Sequence, residues 1–180
     1  MHLINYKIFY FINEFNSEHI LKLRKNINLI FRNYEKKFDI TYYKKIKNFC
    51  HSNGYKIYLS NNVNFAHNLG FDGVYIPAFN NSFIKNKNFR SNFKILGSAH
   101  NLKEIRQKEK QGAEYIFLSP IFYKYNKKCL GLIKFKNLSK NSFSQIVALG
   151  GINKHNINKL NLIKIKCFAS INFVKNLYEK

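Results

Sequence analysis

The segment Gly97–Phe122, GSAHNLKEIRQKEKQGAEYIFLSPIF, holds one complete repeat of an alternating fold. It opens at the end of an apolar run, Lys94–Gly97. Asn101, with Glu104 three residues on, resembles a capping box and predicts a helix over Asn101–Gln111. The helix stops at Gly112, because glycine takes φ > 0 at a helix C′ position without a Cβ penalty. Tyr115–Leu118 follows and is apolar throughout, as a strand buried on both faces should be.

The same junction recurs upstream. NGYKIYLS places Gly54 before one apolar run, and LGFDGVYI places Gly70 before another. Repeated helix–Gly–strand units argue for parallel strands joined by helices. Read outward from these units, the chain offers eight strands: Lys7–Ile12, Ile27–Arg32, Tyr55–Leu59, Gly73–Ile76, Lys94–Gly97, Tyr115–Leu118, Gln145–Leu149 and Lys164–Ala169. Further helices are predicted over Asp39–Asn53 and Asn153–Leu160. Eight strands favour a closed barrel, so the expected class is α/β, a compact (β/α)8 TIM barrel. The 180 residues read as one domain, 1–180, with no linker or low-complexity stretch to divide them. The connection Ser119–Lys134 is too long for a bare turn, and long loops in compact domains are usually functional.

Composition narrows the function classes. The formal net charge is +22, but only Arg24, Arg32, Arg90 and Arg106 are arginines and the lysines are spread along the whole chain. Arginine is the side chain that reads phosphate and guanine through a bidentate fork. No specific nucleic-acid role is expected, although non-specific attraction to polyanions follows from charge alone. No run is apolar enough for a membrane span, and the N-terminal residues lack the ordered parts of a signal peptide. Cys50, Cys129 and Cys167 have neither metal-ligand nor redox spacing, which fits reduced thiols in a cytoplasmic protein.

In a barrel of this kind the site is built at the C-terminal ends of the strands. Gly150-Gly151 follows the seventh strand. It reads either as a tight turn or as backbone that lets N–H groups approach an anion, backed by a helix N-terminus. The loops after the seventh and eighth strands form the usual phosphate site of the fold. Ser170 adds a hydroxyl there, and Lys127 a charge from the loop after the sixth strand. Arg32 ends an apolar strand and needs a partner, either Glu14, Glu35 or a ligand anion. His100, at a helix start, is an acid–base candidate or a capping residue. Asp occurs only at Asp39 and Asp72, and Asp72 precedes its strand, so no strand end offers a carboxylate pair for Mg²⁺. Phe122, Tyr123 and Tyr125 in one loop are suited to stack a ring or to line a contact in a homo-oligomer.

GSAHNLKEIRQKEKQGAEYIFLSPIF resembles the centre of the thiamine-phosphate synthase and TenI-like family, roughly G-x-S-x-H-x-x-x-E-x-x-x-A-x-x-x-G-A-D-Y-x-x-x-G-P-x-F. IVALGGINKHNINKL resembles its I-A-I-G-G-I-x-x-x-N segment, and LSNNVNFAHNLGFDGVYIP its N-D-x-x-D-x-A-x-x-x-G-A-D-G-V-H-L. The likeness spans about Ile27 to Phe173. It implies a (β/α)8 barrel of thiamine biosynthesis. The family's synthase joins a pyrimidine pyrophosphate to a thiazole phosphate with Mg²⁺, and one TenI-like relative is a tautomerase. It also implies a phosphorylated small molecule of the thiamine pathway as the partner. By this resemblance Gly150, Gly151 and Ser170 fall on the thiazole-phosphate positions. Arg32 falls on the pyrophosphate side, Ser98 on the serine before the family histidine, and Lys127 on the lysine of the loop after the sixth strand. The metal positions are changed: the family's Asn-Asp reads Ser60-Asn61, and its second metal aspartate falls at Asn80. In the second strand Gln-x-Arg-x-Lys reads Ile30-Phe31-Arg32-Asn33-Tyr34. The loop threonines fall at Lys124 and Asn126, and the tautomerase histidine at Pro120. A Mg²⁺ cofactor is therefore weakly supported, with Lys124, Lys127 and Lys128 as substitute cations. The readings that stand are a divergent enzyme and a non-catalytic barrel that binds a phosphate ligand.

Overall fold

A computed structural model describes residues 6–34, 39–84, 88–123 and 128–178. Eight parallel strands close into a barrel in chain order: β1 (Lys7–Ile12), β2 (Ile27–Phe31), β3 (Ile57–Ser60), β4 (Gly73–Ile76), β5 (Lys94–Ala99), β6 (Tyr115–Leu118), β7 (Gln145–Leu149) and β8 (Cys167–Ala169). The seam closes where Lys7 pairs with Cys167 and Phe9 with Ala169. The helices are α1 (Ser17–Lys22), α2 (Ile40–Ser52), α3 (Val63–Asn68), α4 (Leu102–Lys110), α5 (Gly131–Lys140), α6 (Lys159–Leu162) and α7 (Asn172–Tyr178). The connection from β4 to β5 carries no helix among its described residues.

Local chemistry explains most of these boundaries. Asp39 caps α2 by accepting from the Tyr42 N–H at 2.8 Å, and Asn101 caps α4 by accepting from the Glu104 N–H at 2.9 Å. Gly54, Gly70 and Gly112 all have φ between +74° and +82°, the left-handed geometry that the repeated junctions predict.

One helix expectation fails. Residues 154–158 form turns, and only Lys159–Leu162 is helical. Asparagine side chains compete with a helical backbone for its hydrogen-bonding groups. Here Asn156 Oδ1 accepts from the Asn153 N–H and Asn153 Oδ1 from the His155 N–H, both at 2.9 Å. Asn156 Nδ2 donates back to the Gly151 carbonyl at 2.8 Å. Beneath these bonds the backbone closes mostly three-residue turns, with Lys159 N–H on the Asn156 carbonyl and Leu160 N–H on that of Ile157, both at 3.0 Å, so a regular helix begins only at Lys159.

Every second strand residue points into the barrel. The interior is filled by Phe9, Phe11, Ile30, Tyr58, Tyr75, Leu96, Phe117 and Val147, with Cys167 and Ala169. Phe117 is the hub, with ring centroids 5.0 Å from Phe9 and 5.3 Å from Tyr75 in edge-on contacts. A cation closes each end of this aromatic column. Lys7 lies 4.2 Å from the Tyr115 ring centroid at the N-terminal end, and the Arg32 guanidinium lies 4.6 Å from that of Phe11 at the other. The outward faces of the same strands pack against the helices in a second layer. Among the described residues no helix is long and apolar enough to cross a membrane.

Candidate functional site at the C-terminal barrel mouth

The loop after β6 is laid directly across the end of β7. The Ile121 N–H donates to the Leu149 carbonyl at 2.9 Å, and the Phe122 N–H to the Gly150 carbonyl at 3.1 Å. Gly150 (φ +96°) and Gly151 (φ +69°) occupy the left-handed region. A Cβ on Gly150 would lie 2.7 Å from Pro120 Cβ, and one on Gly151 would lie 2.7 Å from the Phe122 carbonyl oxygen. The diglycine is therefore demanded by close packing of the β6 loop, whatever else it does.

It also faces a cavity. A space of about 760 Å³ opens at the ends of β7 and β8, lined by Gly150, Gly151, Lys154, His155, Ser170 and Asn172 together with apolar residues. Among the described residues no group accepts from the Gly150 or Gly151 amide N–H. Ser170 is buried; its hydroxyl donates to the Ile152 carbonyl and accepts from the Phe173 N–H, each at 3.3 Å. The three phosphate-side residues expected from sequence thus line one cavity. The helix start expected behind the diglycine is absent, because the asparagine turns replace it; α7 begins at the cavity instead. Lys154 and His155 were not singled out in the sequence, although they sit within five residues of the diglycine in GGINKH.

A second group of residues surrounds the open end of the barrel interior. Arg32 continues the inward register of Ile30, and its N–H extends the ladder to the Ile12 carbonyl at 2.8 Å. Tyr34 follows it; its hydroxyl lies 2.8 Å from Ser60 Oγ, and its ring makes an edge-on contact with Phe79 at 6.1 Å. Ser98 is buried on β5, close enough to the Tyr75 phenol to influence its ionisation. Burial pushes that phenol up to about 12, against the lowering effects of Ser98 and the Arg32 charge. Tyr75 therefore stays neutral at ordinary pH.

His100 sits outside this group, on the rim. Its Nδ1 and its backbone N–H both lie 2.8 Å from Glu104 Oε2, and its side chain is 52% exposed. Asn101 Nδ2 reaches the other Glu104 oxygen at 2.7 Å. Burial raises the Glu104 pKa, but the hydrogen bonds from His100 and Asn101 prevail and hold it below the usual carboxylate range. The structure places His100 in a capping arrangement, with its ring fixed by Glu104.

Asn61 and Asn80 meet. Asn80 Nδ2 donates to Asn61 Oδ1 at 2.7 Å, and Asn80 Oδ1 accepts from the Ser82 N–H at 2.9 Å. Asn61 adopts φ +74°, with its N–H on the Tyr75 carbonyl at 2.8 Å. A divalent metal needs charged or free oxygen donors. These amides are neutral and already paired with one another, so they do not fit Mg²⁺. Among the described residues no cluster of three His, Cys, Asp or Glu side chains is placed to hold a metal.

Lys127 lies outside the described residues, as do Glu35, Lys124, Tyr125 and Asn126. Cys50 and Cys167 are buried free thiols, as expected for core cysteines, and Cys129 is exposed. Burial raises the Cys50 thiol to about 12, which makes it inert as a nucleophile.

Comparison with known proteins points one way. A family profile described as thiamine monophosphate synthase matches residues 19–174. The chain is 30% identical over 135 residues to a thiamine-phosphate synthase of Prochlorococcus marinus, a match covering 73% of this chain and 39% of that protein. It is 29% identical over 116 residues to the thiamine-phosphate synthase of Methanococcus maripaludis, covering 63% and 54%. The matched region thus spans about half, or less, of each relative's length. The fold is similar to that of a thiamine phosphate pyrophosphorylase from Pyrococcus furiosus, with a TM-score of 0.74 at 20% identity over 99% of this chain and 95% of that one.

Proposed function

Because this chain belongs to the thiamine monophosphate synthase family, we propose that it binds a phosphorylated ligand of thiamine biosynthesis at the C-terminal mouth of its barrel. The observation that carries the reading is the cavity at the ends of β7 and β8, lined by Gly150, Gly151, Ser170 and Lys154. Backbone N–H groups and an ammonium are donors for a phosphate monoester, the Ser170 hydroxyl joins them by turning from the Ile152 carbonyl, and the largely apolar remainder of the cavity suits the organic part of such a ligand. A thiazole phosphate fits this description. Arg32, Ser98, Tyr34 and Phe79 form the opposite side of the mouth, where a cation, hydroxyls and ring faces suit a pyrimidine pyrophosphate. Lys127, from the loop after β6, is assigned by family position as a further cation.

A second reading has its own support. The hydrogen-bonded Asn61–Asn80 pair stands where the family resemblance calls for metal carboxylates. It favours a barrel that binds the ligand without metal-assisted displacement of pyrophosphate, which needs neutralised charge.

A thermal-shift panel tests the binding reading. It holds thiazole phosphate, hydroxymethylpyrimidine pyrophosphate and thiamine phosphate, each with and without Mg²⁺, against phosphate and pyrophosphate in moderate salt. A ligand at 100 times its Kd adds about 2.7 kcal/mol of stability. Stabilisation by a thiamine-pathway phosphate well beyond the inorganic controls is expected. Equal, salt-sensitive effects of all polyanions would overturn the reading. A turnover assay on the ligand pair then separates an enzyme from a binder.

A further inference from the structure

We infer that this chain has closed the divalent-cation position of its family and stapled it with a buried lysine, Lys108, so that ligand binding at the barrel mouth is independent of divalent metal. The inference rests on the family correspondence of Asn61 and Asn80, and its test uses no thiamine ligand.

Helix α4 and its C-cap residue Gln111 hold the loop that carries Asn80 through three side chains. Gln107 Nε2 donates to the Asn81 carbonyl at 3.2 Å. Lys108 Nζ donates to the Asn80 carbonyl at 2.6 Å and to Gln111 Oε1 at 3.0 Å. Gln111 Nε2 donates to the carbonyls of Asn80 and Ser82 at 3.0 and 2.8 Å. Lys108 is 0% exposed and Gln111 1%. A buried ammonium is costly unless hydrogen-bonded, so its presence fixes the backbone it binds.

A sequence departure and a neighbouring glycine make room for it. Lys108 occupies the position of Ala in the E-x-x-x-A pattern that opens at Glu104. Its stem passes over Gly97, where a Cβ would lie 2.9 Å from Lys108 Cγ. Gly97 thus leaves the room that the lysine stem uses. The Asn80 side chain of the pinned loop is in turn locked to Asn61. The result is a neutral amide pair on a loop whose Asn80 carbonyl is held by a buried positive charge, so a second cation there would find no charged donor and would be repelled.

The test is a titration with Mn²⁺, followed by electron paramagnetic resonance, on the full chain. Three proteins are compared: wild type, Asn61→Asp/Asn80→Asp, and the same pair with Lys108→Ala. Lys108→Met, which keeps the stem volume, replaces Lys108→Ala if circular dichroism shows that variant unfolded. Wild type is expected to bind no stoichiometric Mn²⁺. The double variant binds weakly, and the triple variant about tenfold more tightly, equivalent to removing about 1.4 kcal/mol of repulsion. Stoichiometric binding by wild type would overturn the closure. Equal affinities of the double and triple variants, or no binding by either, would overturn the role given to Lys108.

Discussion

Replacing Lys108 by Met removes one buried charge and leaves most of the stem in place. Burial pushes this ammonium down to about 8, against the opposing pull of Glu104. The ordinary lysine value is about 10.4, so the charged form carries a penalty on the order of 3 kcal/mol in the folded state. The substitution relieves that penalty. It also strips a donor from Gln111 Oε1, which is buried, and an unsatisfied buried acceptor costs about 1–3 kcal/mol. The Asn80 carbonyl keeps its bond from Gln111. At pH 7 the two effects nearly cancel, and the variant should match wild type to within about 2 kcal/mol. Alkaline pH separates them. From about pH 8 to about 10.4 the unfolded wild type holds the Lys108 proton and the folded one has lost it, so this group's contribution to wild-type stability rises with pH. The variant has no such group, and all other titrations are common to both proteins. Wild type should therefore gain about 2.5 kcal/mol on the variant between pH 7 and pH 10. Urea unfolding of both proteins, followed by circular dichroism across this range, reads the difference directly. A constant difference would show that Lys108 keeps an ordinary pKa and that its ammonium is not desolvated.

Three further outcomes are expected. Gly150→Ala forces a Cβ to 2.7 Å from Pro120 in a left-handed backbone, so denaturant unfolding should show a loss of about 2 kcal/mol or more with no ligand present; an unchanged midpoint would mean that the β6 loop moves freely. Ser170→Ala removes the acceptor of the Phe173 N–H and should cost about 1 kcal/mol, together with much of the thermal shift given by the best phosphate ligand; a full ligand shift in the variant would remove Ser170 from the site. Glu104→Gln should weaken the protein at neutral pH and match wild type more closely in acid, because a carboxylate with a depressed pKa contributes stability that is lost as pH falls through its folded value; parallel pH profiles of unfolding would refute this.

Much of the architecture was legible because it rests on local chemistry. Gly54, Gly70 and Gly112 mark helix ends through a conformation that other residues take at a cost, and Asn101 with Glu104 marks a helix start through two reciprocal bonds. Gly150, Gly151 and Ser170 could be placed together because a parallel barrel brings the ends of β7 and β8 side by side. What stayed hidden depends on tertiary contact. In LKEIRQKEK, Lys108 reads as one more solvated charge, and nothing nearby shows that the Asn80 loop folds over it. The Asn61–Asn80 bond crosses nineteen positions. The run Asn153–Leu160 has helical spacing, yet its backbone closes tighter turns beneath asparagine side-chain bonds, a choice that periodicity does not register.

The aromatic column inside the barrel has a bearing on traffic. Rings from Phe9, Phe11, Tyr75 and Phe117 fill the axis, and Lys7 lies against Tyr115 at the far end. The barrel is thus plugged along its axis and is no tunnel, so only its C-terminal mouth is open to a ligand of the site described above. A molecule that enters between the strand ends has to leave by the same doorway.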